Sequence, residues 1–465
     1  MLQTSTHSLS DGSAAVGESN SVQHRHITCG SEPMRGSNET PGSNEMCGED
    51  ATASNLLRPE ARLLIACGRT ENALSTQSST QRTHSDAGTA YDIPLLLQQT
   101  LDWDYLLDNA LRHGMEPLLY WHLKAVAPEA RQAMPTDVWR EIEQSFFYNI
   151  GKNLFLTREL LEIQAALAQQ GIDAVPYKGP LVAAAFYSNP ALRQYCDLDI
   201  FVSRGDILRA RDVLRSLHFA PEFPWTAAQE RAHLYYEDEY VFHRAADDIT
   251  VELHWEFNAR RSGLMLDTAH VWKQREAVVL NGMTVDTFAA QELLLVLCVH
   301  GYKHFWERLA WICDIAQMVK TRPDMAWDAV LLRAKAAGIQ RILYLGLTLA
   351  RDLLAAPLPP SIDELVRHDA ATQKLADQVR ANLFPVQYHR PTPGEMLRYH
   401  ASMRERWVDK LSMGLRAATT PTLKDWAALP LPSSLFPLYY ALRPLRLLSE
   451  ASIGRLPSSK QRDRG

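Results

Sequence analysis

The sequence predicts an α+β protein in which a small mixed β-sheet lies between two helical regions. Two observations support this fold class. Apolar residues recur with the helical period of about 3.6 residues in 92–170 and again in 263–450, whereas residues 171–262 show the period of two that is typical of strands. The changes of period coincide with Gly171 and Gly263, which we take as the boundaries of the predicted core.

The N-terminal segment 1–91 is rich in Ser, Thr, Gly, Asn and His and has one short apolar run, at 63–66. Such a segment buries too little apolar surface to offset the entropy that is lost on ordering. We therefore expect a disordered polar leader. A start codon assigned too far upstream would give the same pattern.

The N-terminal helical region, 92–170, is predicted to contain long amphipathic helices. Leu106, Leu107 and Ala110 share one helical face, and the following Gly114 indicates the end of that helix. A second helix is expected from about residue 138 to 170, where its apolar stripe ends.

The predicted core, 171–262, contains four strand-like runs. These are expected at 172–178, 195–202, 236–244 and 249–255. A short helix follows the first strand, and a second helix, at 205–217, follows the second strand. The last two strands are joined by the turn-prone sequence AADD, which predicts an antiparallel hairpin.

Residues 263–450 are predicted to form a helical bundle, and 451–465 a polar tail. With 46% apolar residues and a net charge of −6 over 465 residues, the chain is typical of a globular protein, and nucleic acid is not favoured as a partner. No signal peptide is apparent, and no apolar stretch reaches the roughly 18–20 residues of a transmembrane segment, so we expect a cytoplasmic location. The cysteine spacings do not predict structural zinc.

Two carboxylates stand out in the second predicted strand. Asp197 and Asp199 are two residues apart, so they project from the same face of that strand. Glu252 lies on a later strand and could face them across the sheet. Acids placed in this way could hold two Mg²⁺ ions for a nucleotidyl or phosphoryl displacement. The alternative is a strand end at which Asp197 and Asp199 are merely solvated.

Three further residues are candidates for contact with a triphosphate. Lys178 and Gly179 lie where a strand gives way to a helix, a place where backbone N–H groups favour phosphate. Arg193 precedes Asp197 by four residues. The alternatives are that Gly179 serves only the turn and that Arg193 forms a surface salt bridge.

The sequence leaves two alternatives each for the role of His254 and for that of a His-Lys-His group on a later helix. His254 has the same strand parity as Glu252, so it either positions a carboxylate or substrate or is a satisfied structural residue. His300, Lys303 and His304 share one helical face and could line a nucleotide cleft, but a packed helix with a solvated polar face is favoured.

These motifs resemble a family of uncharacterised nucleotidyltransferases within the polymerase-beta-like superfamily. The resemblance covers about residues 92–450 and rests on the Lys-Gly turn, the Arg before Asp-x-Asp, and the later acid followed by Leu-His-Trp. It implies a minimal nucleotidyltransferase core with helical extensions, Mg²⁺ and a nucleoside triphosphate, with ATP the expected one.

Carried over to this chain, the resemblance makes Asp197 and Asp199 the metal-binding pair and Glu252 the third acid. Two positions depart from the superfamily pattern. Lys178-Gly179 replaces the usual Gly-Ser of the phosphate turn, and Glu252 stands where the third acid is often Asp.

The function expected from these observations is Mg²⁺-dependent transfer of a nucleoside monophosphate to an unidentified acceptor, either a small molecule or a protein. Glu252 is the expected general base. The main alternative is a catalytically silent binding or regulatory module with the same fold. A metal-dependent glycosyltransferase is disfavoured because only a small mixed sheet is predicted. A membrane-surface role for the segment that contains Arg443 and Arg446 also stays open.

Overall fold

The computed structural model describes residues 57–69, 91–264, 266–385 and 392–453. Within these residues, helices precede and follow a five-stranded mixed sheet, so the predicted α+β fold class is confirmed. The remainder of the predicted leader and most of the predicted tail lie outside the described residues.

Five α-helices precede the sheet within residues 57–69 and 91–170, the part of this region that the structure describes. The helix that begins at Trp103 is capped by Asp102, whose carboxylate accepts a hydrogen bond from the Tyr105 backbone N–H at 3.0 Å. It ends at Gly114, which has a left-handed φ of 67°, so the predicted stop is confirmed. The five helices are α1 (Pro59–Gly68), α2 (Ile93–Leu97), α3 (Trp103–His113), α4 (Glu116–Ala125) and α5 (Thr136–Gln169).

Helix α1 differs from the predicted polar leader. Leu63, Leu64, Ile65 and Cys67 are fully buried, and they belong to the same apolar core as the helices that follow the sheet. At Gly68, an added Cβ would lie 2.7 Å from Leu354 Cδ2, so the two helices approach closely there. The short apolar run at 63–66 is therefore part of the folded protein, because other helices supply the partners that the run lacks locally.

The five-stranded sheet has the order β1-β2-β5-β4-β3. Strands β2 and β5 are parallel, and the other neighbouring pairs are antiparallel, which includes the predicted β4–β5 hairpin. The strands are β1 (Ala174–Pro176), β2 (Asp197–Val202), β3 (Ala220–Pro221), β4 (Glu239–Arg244) and β5 (Ile249–His254), and the helices between them are α6 (Gly179–Phe186), α7 (Ile207–Ser216) and α8 (Ala227–Tyr236).

One face of this sheet is covered by helix α5. Leu198 and Ile200 of β2, with Val251 and Leu253 of β5, are completely buried in one apolar cluster. The same cluster contains four side chains of α5 at helical spacing, which are Leu156, Leu160, Ile163 and Leu167. The polar side chains at the intervening positions of β2 and β5 therefore lie on the opposite face of the sheet.

A second sheet was not predicted from the sequence. After α9 (Thr268–Lys273), strands β6 (Arg275–Leu280) and β7 (Met283–Phe288) form an antiparallel hairpin within the region expected to be helical. Asn281 and Gly282 form its turn with φ values of 49° and 79°. Positive φ at both positions matches the two-residue turn that Asn-Gly favours in hairpins.

Helices make up the rest of the described chain, and none of the described helices is long and apolar enough to span a membrane. They are α10 (Ala290–Lys303), α11 (Leu309–Thr321), α12 (Trp327–Ala337), α13 (Gln340–Leu354), α14 (Pro360–His368), α15 (Ala370–Leu383), α16 (Pro393–Ser402), α17 (Trp407–Thr419), α18 (Leu423–Ala428) and α19 (Tyr439–Ile453).

Candidate active site

The parallel pairing of β2 with β5 brings the predicted acids together. Asp199 is directly opposite Glu252, and Asp197 is opposite Thr250, so the acids share the face that points away from α5. One ligand atom from each of Asp199, Glu252 and His254 lies within 4.8 Å of the others, a spacing that could hold a metal ion. Register in the sheet therefore joins two motifs that are more than 50 residues apart in sequence.

Asp199 is the most strongly engaged of these carboxylates. Its Oδ1 atom lies 2.6 Å from Lys178 Nζ and 3.0 Å from His254 Nε2. Burial alone would raise the pKa of Asp199, but the Lys178 ammonium and the hydrogen bond from His254 hold it well below its usual range. Asp199 is therefore ionised at neutral pH, as a metal ligand must be.

His254 connects the acids of β2, β4 and β5. Besides its bond with Asp199, its Nε2 atom lies 3.4 Å from Glu252 Oε2, and its Nδ1 atom lies 3.8 Å from Glu239 Oε2. Burial would lower its pKa, but the hydrogen bonds with Asp199 and Glu252 raise the pKa to about 9. His254 is therefore a protonated partner of the acids in this arrangement, and because a protonated imidazole does not bind a metal, the carboxylates are the metal-binding groups. It holds carboxylates, which is one of the two roles left open by the sequence.

Glu252 and Asp197 remain incompletely neutralised. Burial, followed by the charge of Glu239, raises the pKa of Glu252 to about 7. Burial, followed by the charge of Asp199, also raises the pKa of Asp197. Within the described chain, no side chain donates a hydrogen bond to the Asp197 carboxylate. A hard divalent cation prefers carboxylate ligands and would neutralise this excess negative charge, so the residues present fit Mg²⁺.

Glu239 was not assigned to this site from the sequence, and Lys303 was only one of three residues that could line a nucleotide cleft. Glu239 on β4 is opposite His254 in the hairpin, and its Oε2 atom lies 3.0 Å from Lys303 Nζ at the end of α10. The same ammonium lies 3.3 Å from Asp238 Oδ2. Burial raises the pKa of Glu239 in isolation, but Lys303 and His254 lower it to about 2. Pairing the predicted hairpin about its AADD turn would have placed Glu239 opposite His254.

The end of α10 also brings two histidines towards the acids. The rings of His300 and His304 lie 5.0 and 5.3 Å from the ring of Trp311. Burial, and then the ammonium of Lys303, lowers the pKa of His304 to about 3, so this imidazole is neutral. The polar row on this helix is therefore half-buried and lies near the acids.

Lys178 and Gly179 form the turn between β1 and α6. Gly179 has a φ of 45°, and an added Cβ would lie 3.3 Å from the Asp197 carbonyl oxygen, so a side chain would be strained there. The Lys178 ammonium is paired with Asp199, and its pKa is raised because Asp199 and Glu252 outweigh the effect of burial. The turn therefore places a cation and the first N–H groups of α6 beside the acids.

Arg193 has a buried ion pair. Its Nε and Nη2 atoms donate to the two Asp314 carboxylate oxygens, each at 2.8 Å, and its Nη1 donates to the Gly179 carbonyl at 3.2 Å. The Tyr187 hydroxyl donates to the same Asp314 carboxylate at 2.8 Å. Arg193 therefore does not form the surface salt bridge that was considered as an alternative. Its bidentate pair with Asp314 holds the Lys178-Gly179 turn against α11. Contact of Arg193 with a triphosphate stays a prediction.

Known proteins similar to this chain include a solved structure and a sequence family. Among solved structures, the chain is similar to an antigenic nucleotidyltransferase-like protein from Paracoccidioides brasiliensis, with 16% identity, a TM-score of 0.26, and coverage of 45% of this chain and 95% of that one. A comparison with curated proteins gives no match. Residues 99–355, more than half of the chain, match a family described as uncharacterised nucleotidyltransferases. The resemblance expected from the motifs is therefore confirmed, and the chain belongs to this nucleotidyltransferase family.

Proposed function

We propose that the protein is a Mg²⁺-dependent nucleotidyltransferase that transfers a nucleoside monophosphate from a nucleoside triphosphate, ATP in the first instance, to an acceptor not yet identified. The pairing of Asp199 with Glu252 across two parallel strands, with Asp197 two residues away, is the observation that carries the proposal. Family membership supports it, because transfer of a nucleotide is the activity for which the family is described.

Each acidic side chain has a role in this proposal. Asp197, Asp199 and Glu252 would hold the metal, which when bound stabilises the attacking and leaving oxygens of an in-line displacement. Glu252 would also accept the proton of the attacking group. Burial and the charge of Glu239 raise its pKa to about 7 without metal, and a bound divalent cation would lower that pKa, so the carboxylate would be ionised and able to accept a proton.

The basic side chains would bind the leaving part of the nucleotide. Lys178 and the N-terminus of α6 would hold the triphosphate, since both place positive charge beside the acids. The Lys178 ammonium would then exchange part of its contact with Asp199 for a phosphate oxygen. Lys303 would keep Glu239 ionised and turned towards His254.

Calorimetric titration of the full chain with each of the four nucleoside triphosphates, with and without Mg²⁺, tests the binding step. We expect Mg²⁺-dependent binding that is lost in the Asp197→Asn/Asp199→Asn double variant. Asp377→Asn is the matched control, because Asp377 is an exposed acid on α15. Failure of the folded protein to bind any triphosphate would contradict the proposal.

Label transfer separates an enzyme from a silent module with the same fold. The full chain is incubated with a cell extract and with ATP labelled at either the α- or the γ-phosphate. Nucleotidyl transfer gives a product labelled only from the α-phosphate, because pyrophosphate leaves. Binding without any labelled product across acceptor classes would favour the silent module.

A further inference from the structure

Helix α5 has a second apolar face, on the side away from the sheet. Phe147, Tyr148 and Leu154 are 56%, 59% and 58% exposed, and Phe155 is half-buried. With the helical period of about 3.6 residues, these four side chains and Gly151 share one face, which lies opposite the stripe that packs on the sheet. A contiguous exposed group of aromatic and aliphatic side chains marks a surface that binds a partner.

The apolar residues of this face are arranged symmetrically about Gly151. Phe147 and Phe155 lie four positions before and after it, and Tyr148 and Leu154 lie three positions before and after it. Two copies of α5 that run antiparallel and cross at Gly151 place Phe147 on Leu154 of the second copy and Tyr148 on Phe155 of the second copy, and a twofold axis repeats each contact. Gly151 has no side chain, and an added Cβ would meet no atom within 4 Å, so the two backbones can approach closely where they cross.

The polar residues further along the same face are complementary in the same arrangement. Arg140 and Glu162 are exposed and lie eleven positions before and after Gly151, so each faces the other residue of the second copy. Gln144 and Arg158 are also exposed and lie seven positions before and after Gly151, where the amide oxygen can accept a hydrogen bond from the guanidinium. A parallel pair would place each charge beside its own copy, so the charges favour the antiparallel pair.

The dimensions of α5 allow all these contacts to form together. The helix has 34 residues, and the part from Arg140 to Glu162 is about 33 Å long. Antiparallel helices that cross at the shallow angle of about 20° stay in contact over such a length. A cavity of about 390 Å³ lies beside Tyr148 and Phe155, with Asp247 of the β4–β5 turn on its other side, and leaves room for the rings of a second copy.

We propose that this face of α5 is the interface of a symmetric, antiparallel dimer of the chain. The occupant is a second copy because the surface matches itself in both its apolar and its charged residues, as a twofold interface requires. The acids of the candidate active site lie on the opposite face of the sheet, so both sites stay open in the dimer. The inference therefore does not depend on the proposed nucleotidyl transfer.

Sedimentation velocity of the full chain over a range of micromolar concentrations tests the dimer. We expect the wild type to dimerise and Gly151→Glu to associate about tenfold more weakly or worse, because two carboxylates then meet where the helices cross. Glutamate is a better helix former than glycine, so this variant should melt no lower than the wild type. Gly414→Glu is the matched control, because Gly414 lies within α17, another helix with exposed apolar side chains, and an added Cβ there also meets no atom within 4 Å.

Exchange of the paired charges tests the antiparallel register. Arg140→Glu alone and Glu162→Arg alone should each weaken the dimer, because like charges then face each other at both ends of the interface. In an equimolar mixture of these two variants, a dimer with one copy of each has opposite charges at both ends. We therefore expect the mixture to associate more tightly than either variant does alone, by about tenfold.

Three results overturn the inference. A wild type that stays monomeric at every concentration would assign the face to another occupant, either a different protein or a segment of the same chain. A dimer that Gly151→Glu weakens no more than Gly414→Glu does would place the interface elsewhere. A mixture of the two charge variants that associates no more tightly than either variant alone would exclude the antiparallel pairing about Gly151.

Discussion

Asp199 contacts two cations at once, and that arrangement depends on residues from three separate segments. Lys178 comes from the turn before α6, and His254 comes from the end of β5. The sequence places Asp197 and Asp199 on one face of a strand, because that needs only the strand period. It does not predict that Lys303 contacts Glu239, because the contact of α10 with β4 joins residues more than 60 positions apart.

Single substitutions test how much the Glu239–Lys303 pair contributes to the free energy of unfolding. Lys303→Met removes the ammonium that compensates Glu239, and we expect a loss of about 2 kcal/mol in the free energy of unfolding. This is below the range for fully buried pairs, because Lys303 and Glu239 are 29% and 28% exposed. Urea denaturation measures the change.

The double variant Glu239→Gln/Lys303→Met completes a thermodynamic cycle. It should be more stable than Lys303→Met alone, since Glu239 no longer carries an uncompensated charge and only Asp238 is left without the ammonium. The pair that Arg367, 61% exposed, forms with Asp363 on α14 provides a control, and Arg367→Met should change the stability by no more than about 0.5 kcal/mol. Equal effects of Lys303→Met and Arg367→Met would contradict the prediction.

Variants of Arg193 distinguish between two roles for this residue, which are positioning of the Lys178-Gly179 turn and direct contact with phosphate. Arg193→Lys keeps the charge but loses the fork that bonds both oxygens of Asp314, so we expect a loss of about 2 kcal/mol in stability. Asp314→Asn should have a similar effect, and the two losses should not add, because both break the same pair. If Arg193→Lys leaves unfolding unchanged and weakens only nucleotide binding, the positioning role is wrong.

At the scale of elements, helix α1 shows why local composition underestimated the folded part of the chain. Its single apolar run is too short to predict a core element without knowledge of its partners. The hairpin β6–β7 was missed for the opposite reason. Asn281-Gly282 between alternating residues is a strong local signal for a hairpin, and the surrounding helical pattern obscured it.

Truncation tests the contribution of α1. A chain that begins at residue 92 should be less stable than one that begins at residue 57 by several kcal/mol, because full burial of each of Leu63, Leu64 and Ile65 contributes about 1.5–3 kcal/mol. Guanidinium denaturation of both chains provides the comparison. Equal midpoints would show that α1 is dispensable to the core.

Helices α18 and α19 are held together by a buried carboxylate. Asp425 accepts hydrogen bonds from Arg443 and Arg446, each at 2.7 Å. The two arginines whose charge suggested a membrane-surface role are therefore engaged within the protein. Burial raises the pKa of Asp425, but Arg446, Thr422 and Arg443 outweigh it and lower the pKa to about 2.

This pKa predicts how stability depends on pH. The folded-state pKa of Asp425 is below the unfolded value of about 3.9, so its contribution is complete well above pH 4 and is lost as the pH falls towards 2. Asp425→Asn should lower the stability at pH 7 and weaken its dependence on pH between about 5 and 2. Thermal melting across this range measures both effects, and an unchanged pH profile would contradict the assignment.

At the scale of the whole molecule, the helices that follow the sheet help to build the candidate active site. Asp314 on α11 orients Arg193 behind the Lys178-Gly179 turn, and Lys303 on α10 neutralises Glu239. The sheet supplies the acids, and these helices supply much of their electrostatic environment. Ligand binding at the acids should therefore stabilise sheet and helices together.

Linkage between binding and folding gives a prediction for the intact protein. With Mg²⁺ and a triphosphate at about 100 times its Kd, unfolding should cost roughly 2.7 kcal/mol more than without ligand. The increase in Tm should disappear on chelation of the metal and in Asp197→Asn/Asp199→Asn. A shift that persists in this variant would place the nucleotide elsewhere.

The sequence by itself determined the fold class, four of the five strands of the core sheet and the grouping of Asp197 with Asp199, because these depend on periods of a few residues. Its motifs also indicated the family. Only the tertiary structure decided that Arg193 pairs with Asp314, that α1 lies in the core, and that Lys303 pairs with Glu239. These contacts join residues far apart in the chain, and burial and charge compensation select them only once the helices and the sheet have packed.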